Sequence, residues 1–382
     1  MPQPVLSAKN NGLSVTWPDG TNAWFHNFWL RENCHCPTCF HPQAWERTLN
    51  LLDIPHDIAP ESLTPTEAGL ELTWPSHKAS CEKTFYSWNW LYENRTEPEA
   101  RLSRKKKRTS WRANSLKISE HFVDYEKIIS QDSGLLEFLE HLDDVGFAII
   151  KNMPDEHEAV LNIANKVAFV ERSHFGHDFE VESKPDPENL AYTSHSLPPH
   201  NDLPSRSQIP GIQLLHCLVN DAQGGESIMV DSMSVAERMK SEHPDYFEFL
   251  SQTPVKFNSV AEDWHIINRN PVIRLDPDGD IIGTRMHPAL LGPVDVAPEL
   301  MDMFYRAHRI MMEMCVDPEM QLTFRLSAGD CQVFDNYRIM HARKAFDPST
   351  GHRKLHGCYI TSDDMRSRLE VLRRKGADFR QT

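Results

Sequence analysis

Over roughly the first ninety residues, apolar and polar positions alternate in short runs. Leu13-Ser14-Val15-Thr16-Trp17 runs at period two and breaks at Pro18-Asp19-Gly20, as a half-buried strand ending in a tight turn does. Gly69-Leu70-Glu71-Leu72-Thr73-Trp74-Pro75 follows the same plan. Beyond that shared plan the sequence reads as free of internal repeats. Trp17, Trp24, Trp29, Trp74, Trp88 and Trp90 suit a small β domain, where large aromatics bury much area per residue.

The period then changes. Leu135, Leu136, Leu139 and Leu142 fall at helical spacing behind Asp132 or Ser133 as N-cap, which predicts a helix over 132–142. Residues 159–170 predict a second, and the apolar run 146–150 predicts a buried strand. Farther on, strands are expected over 212–217, 227–230, 272–275, 331–334 and 357–361, with helices near 235–250 and 299–315. Separated strands with long excursions indicate a mainly β fold with α elements, a double-sheet barrel or jelly roll. The expected domains are 1–95, a basic linker over 96–116, and 117–382.

Charge and cysteine usage narrow the picture. The net charge of −15 argues against a general nucleic-acid binder, since phosphate is repelled by an acidic surface. The cluster Arg101, Arg104, Lys105, Lys106, Lys107, Arg108 and Arg112 is then best read as a solvated connector. No apolar run is long enough for a membrane helix, and the opening residues lack a signal-peptide pattern, so a cytoplasmic location is expected. Three of the eight cysteines, Cys34, Cys36 and Cys39, fall within six residues. In a reducing compartment such a cluster points to a structural zinc site rather than to disulfides. It needs a fourth ligand, for which Cys81, His35 and His41 are local candidates.

His200-Asn201-Asp202 carries the candidate chemistry. In an extended segment, positions two apart point the same way, so His200 and Asp202 can grip one metal. His341 is the candidate third ligand. Two histidines and a carboxylate on one face leave positions open for co-substrate and O2, the arrangement of non-haem Fe(II) oxygenases. Arg353, twelve residues past His341, could hold a dicarboxylate through a bidentate guanidinium.

Taken with Asn189-Leu190-Ala191-Tyr192-Thr193, Pro199-His200-Asn201-Asp202-Leu203-Pro204, Gln213-Leu214-Leu215-His216-Cys217, Gly224-Gly225-Glu226-Ser227, Phe334-Asp335-Asn336 and Met340-His341-Ala342-Arg343, the chain resembles the γ-butyrobetaine dioxygenase family. The wider group includes trimethyllysine and taurine dioxygenases. The N-terminal segment Trp29-Leu30-Arg31-Glu32-Asn33-Cys34-His35-Cys36 shares the likeness, so it covers nearly the whole chain. The resemblance implies a double-stranded β-helix with a zinc-binding N-terminal domain, often dimeric. It implies hydroxylation of a small quaternary-ammonium substrate, coupled to conversion of 2-oxoglutarate to succinate and CO2. By the same likeness, His200, Asp202 and His341 would hold iron. Arg353, Ser227 and Asn189 would serve the 2-oxoglutarate pocket, and His77 would complete the zinc site. Phe175, Phe179, Tyr192 and Tyr359 would form an aromatic cage, which attracts a trimethylammonium head by cation–π interaction. At the anion end this sequence offers Arg285 and His287, with Asn201 between the iron ligands. That donor-rich end keeps open a phosphonate analogue, beside trimethyllysine, as the alternative to γ-butyrobetaine.

Overall fold

The computed structural model describes residues 3–76, 81–183 and 190–375. Its contacts divide the chain into two units, one running to Lys107 and the other beginning at Arg108.

In the first unit, Val5–Lys9, Gly12–Thr16 and Asn22–His26 form an antiparallel meander that runs into the helix Asn27–Glu32. Ser62–Pro65, Gly69–Thr73, Lys83–Ser87 and the helix Trp88–Glu93 build the same arrangement again. The middle strands share one burial pattern and the third strands share another. Even the helix ends match: Asn33 and Asn94 each donate from Nδ2 to the carbonyl four residues back, of Trp29 and Trp90, at 2.9 Å. The unit therefore contains a structural repeat, contrary to the expectation from sequence. Only the inward positions need to agree for both copies to feed one core, here Leu13, Val15 and Phe25 with Leu70, Leu72 and Tyr86. The outward positions differ freely, which hides the repeat. Between the expected domains, residues Pro98–Arg104 form a short helix.

The second unit holds a six-stranded sheet in the order Asp178–Glu182, Arg353–Ile360, Ile212–Asn220, Cys331–Asp335, Phe147–Lys151 and Phe122–Asp124. A four-stranded sheet runs Leu197–His200, Ile339–Arg343, Ser227–Asp231 and Leu322–Phe324. Alternation sorts the side chains. Phe147, Leu215, Phe334 and Leu355 of the large sheet pack with Met229, Leu322 and Ile339 of the small one in a shared core. The intervening residues Ala148, Leu214, Val333 and Ile360 turn the other way, against helices Asp132–Asp144, Ala159–Val167 and Ser362–Arg373. Ile228, Val230 and Met340 pack against Ser232–Glu242, Pro244–Gln252 and Met301–Val316. The single helix expected over 235–250 is two, because Pro244 lacks an N–H to continue the first and opens the second. The last expected strand starts earlier than its apolar run, at Arg353.

A buried ion pair ties these layers together. Arg338, 1% exposed, meets Asp231 at 2.7 Å and also donates to the carbonyls of Asp144 and Thr109. Asp231 in turn caps helix Ser232–Glu242 through Met233 N–H and accepts from Trp111 N–H.

Candidate active site

His200 ends the strand Leu197–His200 and stands directly across from His341 in Ile339–Arg343. Both face the space between the sheets. The expected extended segment stops there, and Asp202 lies past the strand end. It is aimed by Asn336, whose Oδ1 accepts from Asp202 N–H at 2.7 Å and whose Nδ2 donates to the Asp202 carbonyl at 3.1 Å. Asp202 Oδ1 sits 3.4 Å from His200 Nε2 and 3.6 Å from His341 Nε2. The Nδ1 of His200 lies 2.8 Å from the Pro198 carbonyl. That nitrogen therefore donates to the carbonyl, and Nε2 is the nitrogen that faces the carboxylate. The Tyr359 hydroxyl donates to Asp202 Oδ2 at 2.7 Å.

Burial alone would push the Asp202 carboxyl up, but His341, His200 and the Tyr359 hydroxyl outweigh it and hold it below its ordinary range. Burial, helped by His200, pushes His341 down to about 3, so its imidazole is neutral. A carboxylate and two imidazoles that turn Nε2 toward it are a metal-binding donor set.

The three open onto a cavity of about 110 Å³. Phe175, Phe179, Tyr192 and Tyr359 line it, with the Phe179 and Tyr359 rings 5.1 Å apart and Phe175 and Phe179 6.4 Å apart. Arg353 and Ser227 line it too. Arg353 is buried, and Gly225, at φ +73°, passes so close that a Cβ there would stand 3.2 Å from Arg353 Cδ. Gly225 thus has a steric reason in the approach of backbone to the Arg353 side chain, and Gly224, at φ +83°, has one in the Ala345 carbonyl, 2.4 Å from where a Cβ would stand. His287 reaches the cavity with its ring 4.5 Å from that of His200. Burial and then His200 drive its pKa well down.

Two residues expected at the anion end lie elsewhere. Asn201 is fully buried on the side opposite its neighbours. It donates to the Asn336 carbonyl and accepts from Thr284 Oγ1 and Met286 N–H. Arg285 donates to the carbonyls of Pro204, Arg206 and Ser207 and faces a different cavity. Both serve as scaffold for the loop after Asp202. Asn189 and His77 lie outside the described residues.

Three further polar residues line the cavity. Gln213 and Gln332 are buried in the cavity wall with Oε1 unpartnered among the described residues. Each is a polar residue in an apolar strand, a signal that was available. Arg343, two positions beyond His341 on the same face, donates to the carbonyls of Ala191, Thr193 and His195, around Tyr192. Burial and the nearby Arg353 bring it down to about 10.

In the first unit, Cys34, Cys36, Cys39 and Cys81 gather with their sulfurs within 4.8 Å of one another. Cys81 Sγ is 3.7 Å from that of Cys34 and 3.4 Å from that of Cys39. The hydrogen bond from Cys81 lowers Cys34 to about 5, while Cys81 itself is raised. Arg31, fully buried, approaches Cys39 Sγ at 3.4 Å.

The comparisons agree with this architecture. A family model described as taurine catabolism dioxygenase TauD, TfdA family matches residues 112–359. The chain belongs to that family: it is a dioxygenase that works with Fe(II), 2-oxoglutarate and O2. A second model, γ-butyrobetaine hydroxylase-like N-terminal, matches residues 5–92. Within the family the chain is 37% identical over 378 residues to a γ-butyrobetaine dioxygenase of a Pseudomonas species, covering 97% of each. It is 30% identical over 383 residues to a trimethyllysine dioxygenase of Meyerozyma guilliermondii, covering 96% of this chain and 94% of that one. With the human γ-butyrobetaine dioxygenase it shares 27% over 372 residues, 95% of each.

Proposed function

We propose that the protein hydroxylates a small trimethylammonium compound, γ-butyrobetaine first among them, with 2-oxoglutarate as co-substrate. The observation that carries this reading is the shared cavity: four aromatic side chains, Phe175, Phe179, Tyr192 and Tyr359, face the same space as His200, Asp202 and His341. A quaternary ammonium has no N–H to donate and is recognised by aromatic faces. The donor set suits Fe(II). Bonds of about 2.1 Å at right angles put neighbouring donors about 3 Å apart, and the 3.4 and 3.6 Å spacings are close to that. His200, Asp202 and His341 would hold the iron, which activates O2 for C–H oxidation when bound. Arg353 and Ser227 would fix the distal carboxylate of 2-oxoglutarate, and Tyr359 and Asn336 would keep Asp202 ionised and aimed. Asn201 and Arg285, which kept the phosphonate alternative open, both bond to backbone away from the cavity. His287 remains the residue of choice for the substrate's anionic end.

The first unit would carry a structural zinc on Cys34, Cys36, Cys39 and Cys81, with Arg31 beside the thiolates offsetting their charge. This puts Cys81 ahead of His77 as fourth ligand.

A substrate panel scored by succinate formation tests the main reading. γ-Butyrobetaine, trimethyllysine, the phosphonate analogue and a tert-butyl isostere of butyrobetaine are compared at saturating 2-oxoglutarate. γ-Butyrobetaine should lead in kcat/KM, and the neutral isostere should fall about tenfold or more below it. Equal turnover of charged and neutral compounds would exclude an aromatic cage.

A further inference from the structure

A second cavity, of about 500 Å³, takes no part in the proposed reaction. Four arginines line it: Arg108, Arg274, Arg285 and Arg366. Their bonding is uneven. Arg285 uses its terminal nitrogens on three carbonyls, yet its Nε is buried without a partner among the described residues. Arg274 lies with its guanidinium 4.0 Å over the Tyr337 ring, which occupies its face but not its N–H edges. Arg366 reaches only as far as Asp335, at 3.8 Å. No hydrogen bond or ion pair joins Arg108 or Arg274 to another described residue. Burial lowers the pKa of both, but a guanidinium keeps its proton at neutral pH. Half-buried, charged donors of this kind favour an acceptor.

The same wall carries the start of the helix Ser362–Arg373. Ser362 is 8% exposed, lines the cavity, and has an Oγ with no partner among the described residues. First-turn amides and a free hydroxyl favour an anion. Glu171, Asp276 and Asp363 also line the cavity. Asp276 Oδ1 accepts from the N–H groups of Asp278 and Asp280, and Glu171 accepts from that of Gly211.

We propose that this cavity binds a small oxyanion, a phosphate group or a carboxylate, held by Arg108, Arg274 and Arg366 at the N-terminus of the helix Ser362–Arg373. Arg285, on the same wall, grips the carbonyls of Pro204, Arg206 and Ser207 in the segment that leaves Asp202. Occupancy therefore stabilises the folded state by mass action, next to the loop behind the metal site.

The test is a calorimetric titration of the metal-loaded enzyme with inorganic phosphate, sulfate and acetate separately, at ionic strength matched with chloride. Saturable binding is expected. Preference for phosphate and sulfate would assign a phosphate-type ligand, and preference for acetate a carboxylate. Arg274→Gln should weaken binding about tenfold, whereas Arg353→Ala, in the other cavity, should leave it intact. Arg366→Gln, at a half-exposed position, serves the same purpose where Arg274→Gln fails to fold. Absence of saturable binding by all three anions overturns the proposal. So does binding that is lost in Arg353→Ala but kept in the Arg274 and Arg366 variants.

Discussion

Tyr359 sits at the junction of two tasks, presenting a ring to the cavity and a hydroxyl to Asp202. Tyr359→Phe separates them. The aromatic face stays, so the substrate KM should hardly change, while iron affinity should fall by about tenfold, as when a ligand loses its outer partner. Iron titration followed by steady-state kinetics checks both halves; a raised KM with unchanged iron affinity would reverse the assignment. Arg353 gives a cleaner single outcome. On the proposed reading, Arg353→Ala would remove a charge-assisted partner of the co-substrate and should raise the KM for 2-oxoglutarate roughly 10- to 100-fold. If KM stays put, Arg343, on the same wall, is the next arginine to replace.

At the scale of elements, the sheets are held by groups that cannot be removed one at a time. Arg338 and Asp231 are buried together and join a strand, a helix cap and the segment at Thr109. Arg338→Ala should destabilise by about 3–5 kcal/mol, because Asp231 is left buried and unpaired. The urea midpoint would report this, and a change below about 1 kcal/mol, the range of surface pairs, would contradict it. The outer face of the large sheet sets a pH dependence. His216 stands opposite His356, fully buried, with both ring nitrogens unpartnered among the described residues. Burial, reinforced by His356, lowers it from 6.5 to about 4. Between those values the unfolded chain binds the proton and the folded one does not. Stability is therefore complete above about pH 6.5 and falls as pH drops toward 4. His216→Phe should flatten that part of the curve, and an unchanged slope would assign it to other histidines.

For the molecule as a whole, the proposed sites assign a different metal to each unit. Protein purified without chelator should carry about one zinc per chain, as a single four-ligand site requires. Cys81→Ser should lower the zinc content and the stability of the first unit. His77→Ala should do neither if Cys81 is the fourth ligand. Metal analysis with thermal unfolding distinguishes the two, and zinc loss on His77→Ala alone would restore the histidine. No helix among the described residues is long and apolar enough to cross a membrane.

Periodicity by itself determined which faces of the strands are buried, because alternation is a local property of extended backbone. It left His341 and Arg353 outside the expected strands 331–334 and 357–361, whereas sheet pairing puts them in Ile339–Arg343 and Arg353–Ile360; the H-x-D spacing brought out His200 and Asp202. It could not say why Asp202 points where it does. The strand ends at His200, and the carboxylate is aimed by Asn336, 134 residues later in the chain. Nor could it tell that Asn201 and Arg285 turn away from the cavity. Near the end of a strand, the side a residue faces is set by which backbone groups happen to lie within hydrogen-bond reach. The same limit applies to Cys81, which comes beside Cys34 only when the second copy of the meander folds onto the same core as the first. Local chemistry selected the residue types, while long-range hydrogen bonds and sheet pairing decided which of them share a site.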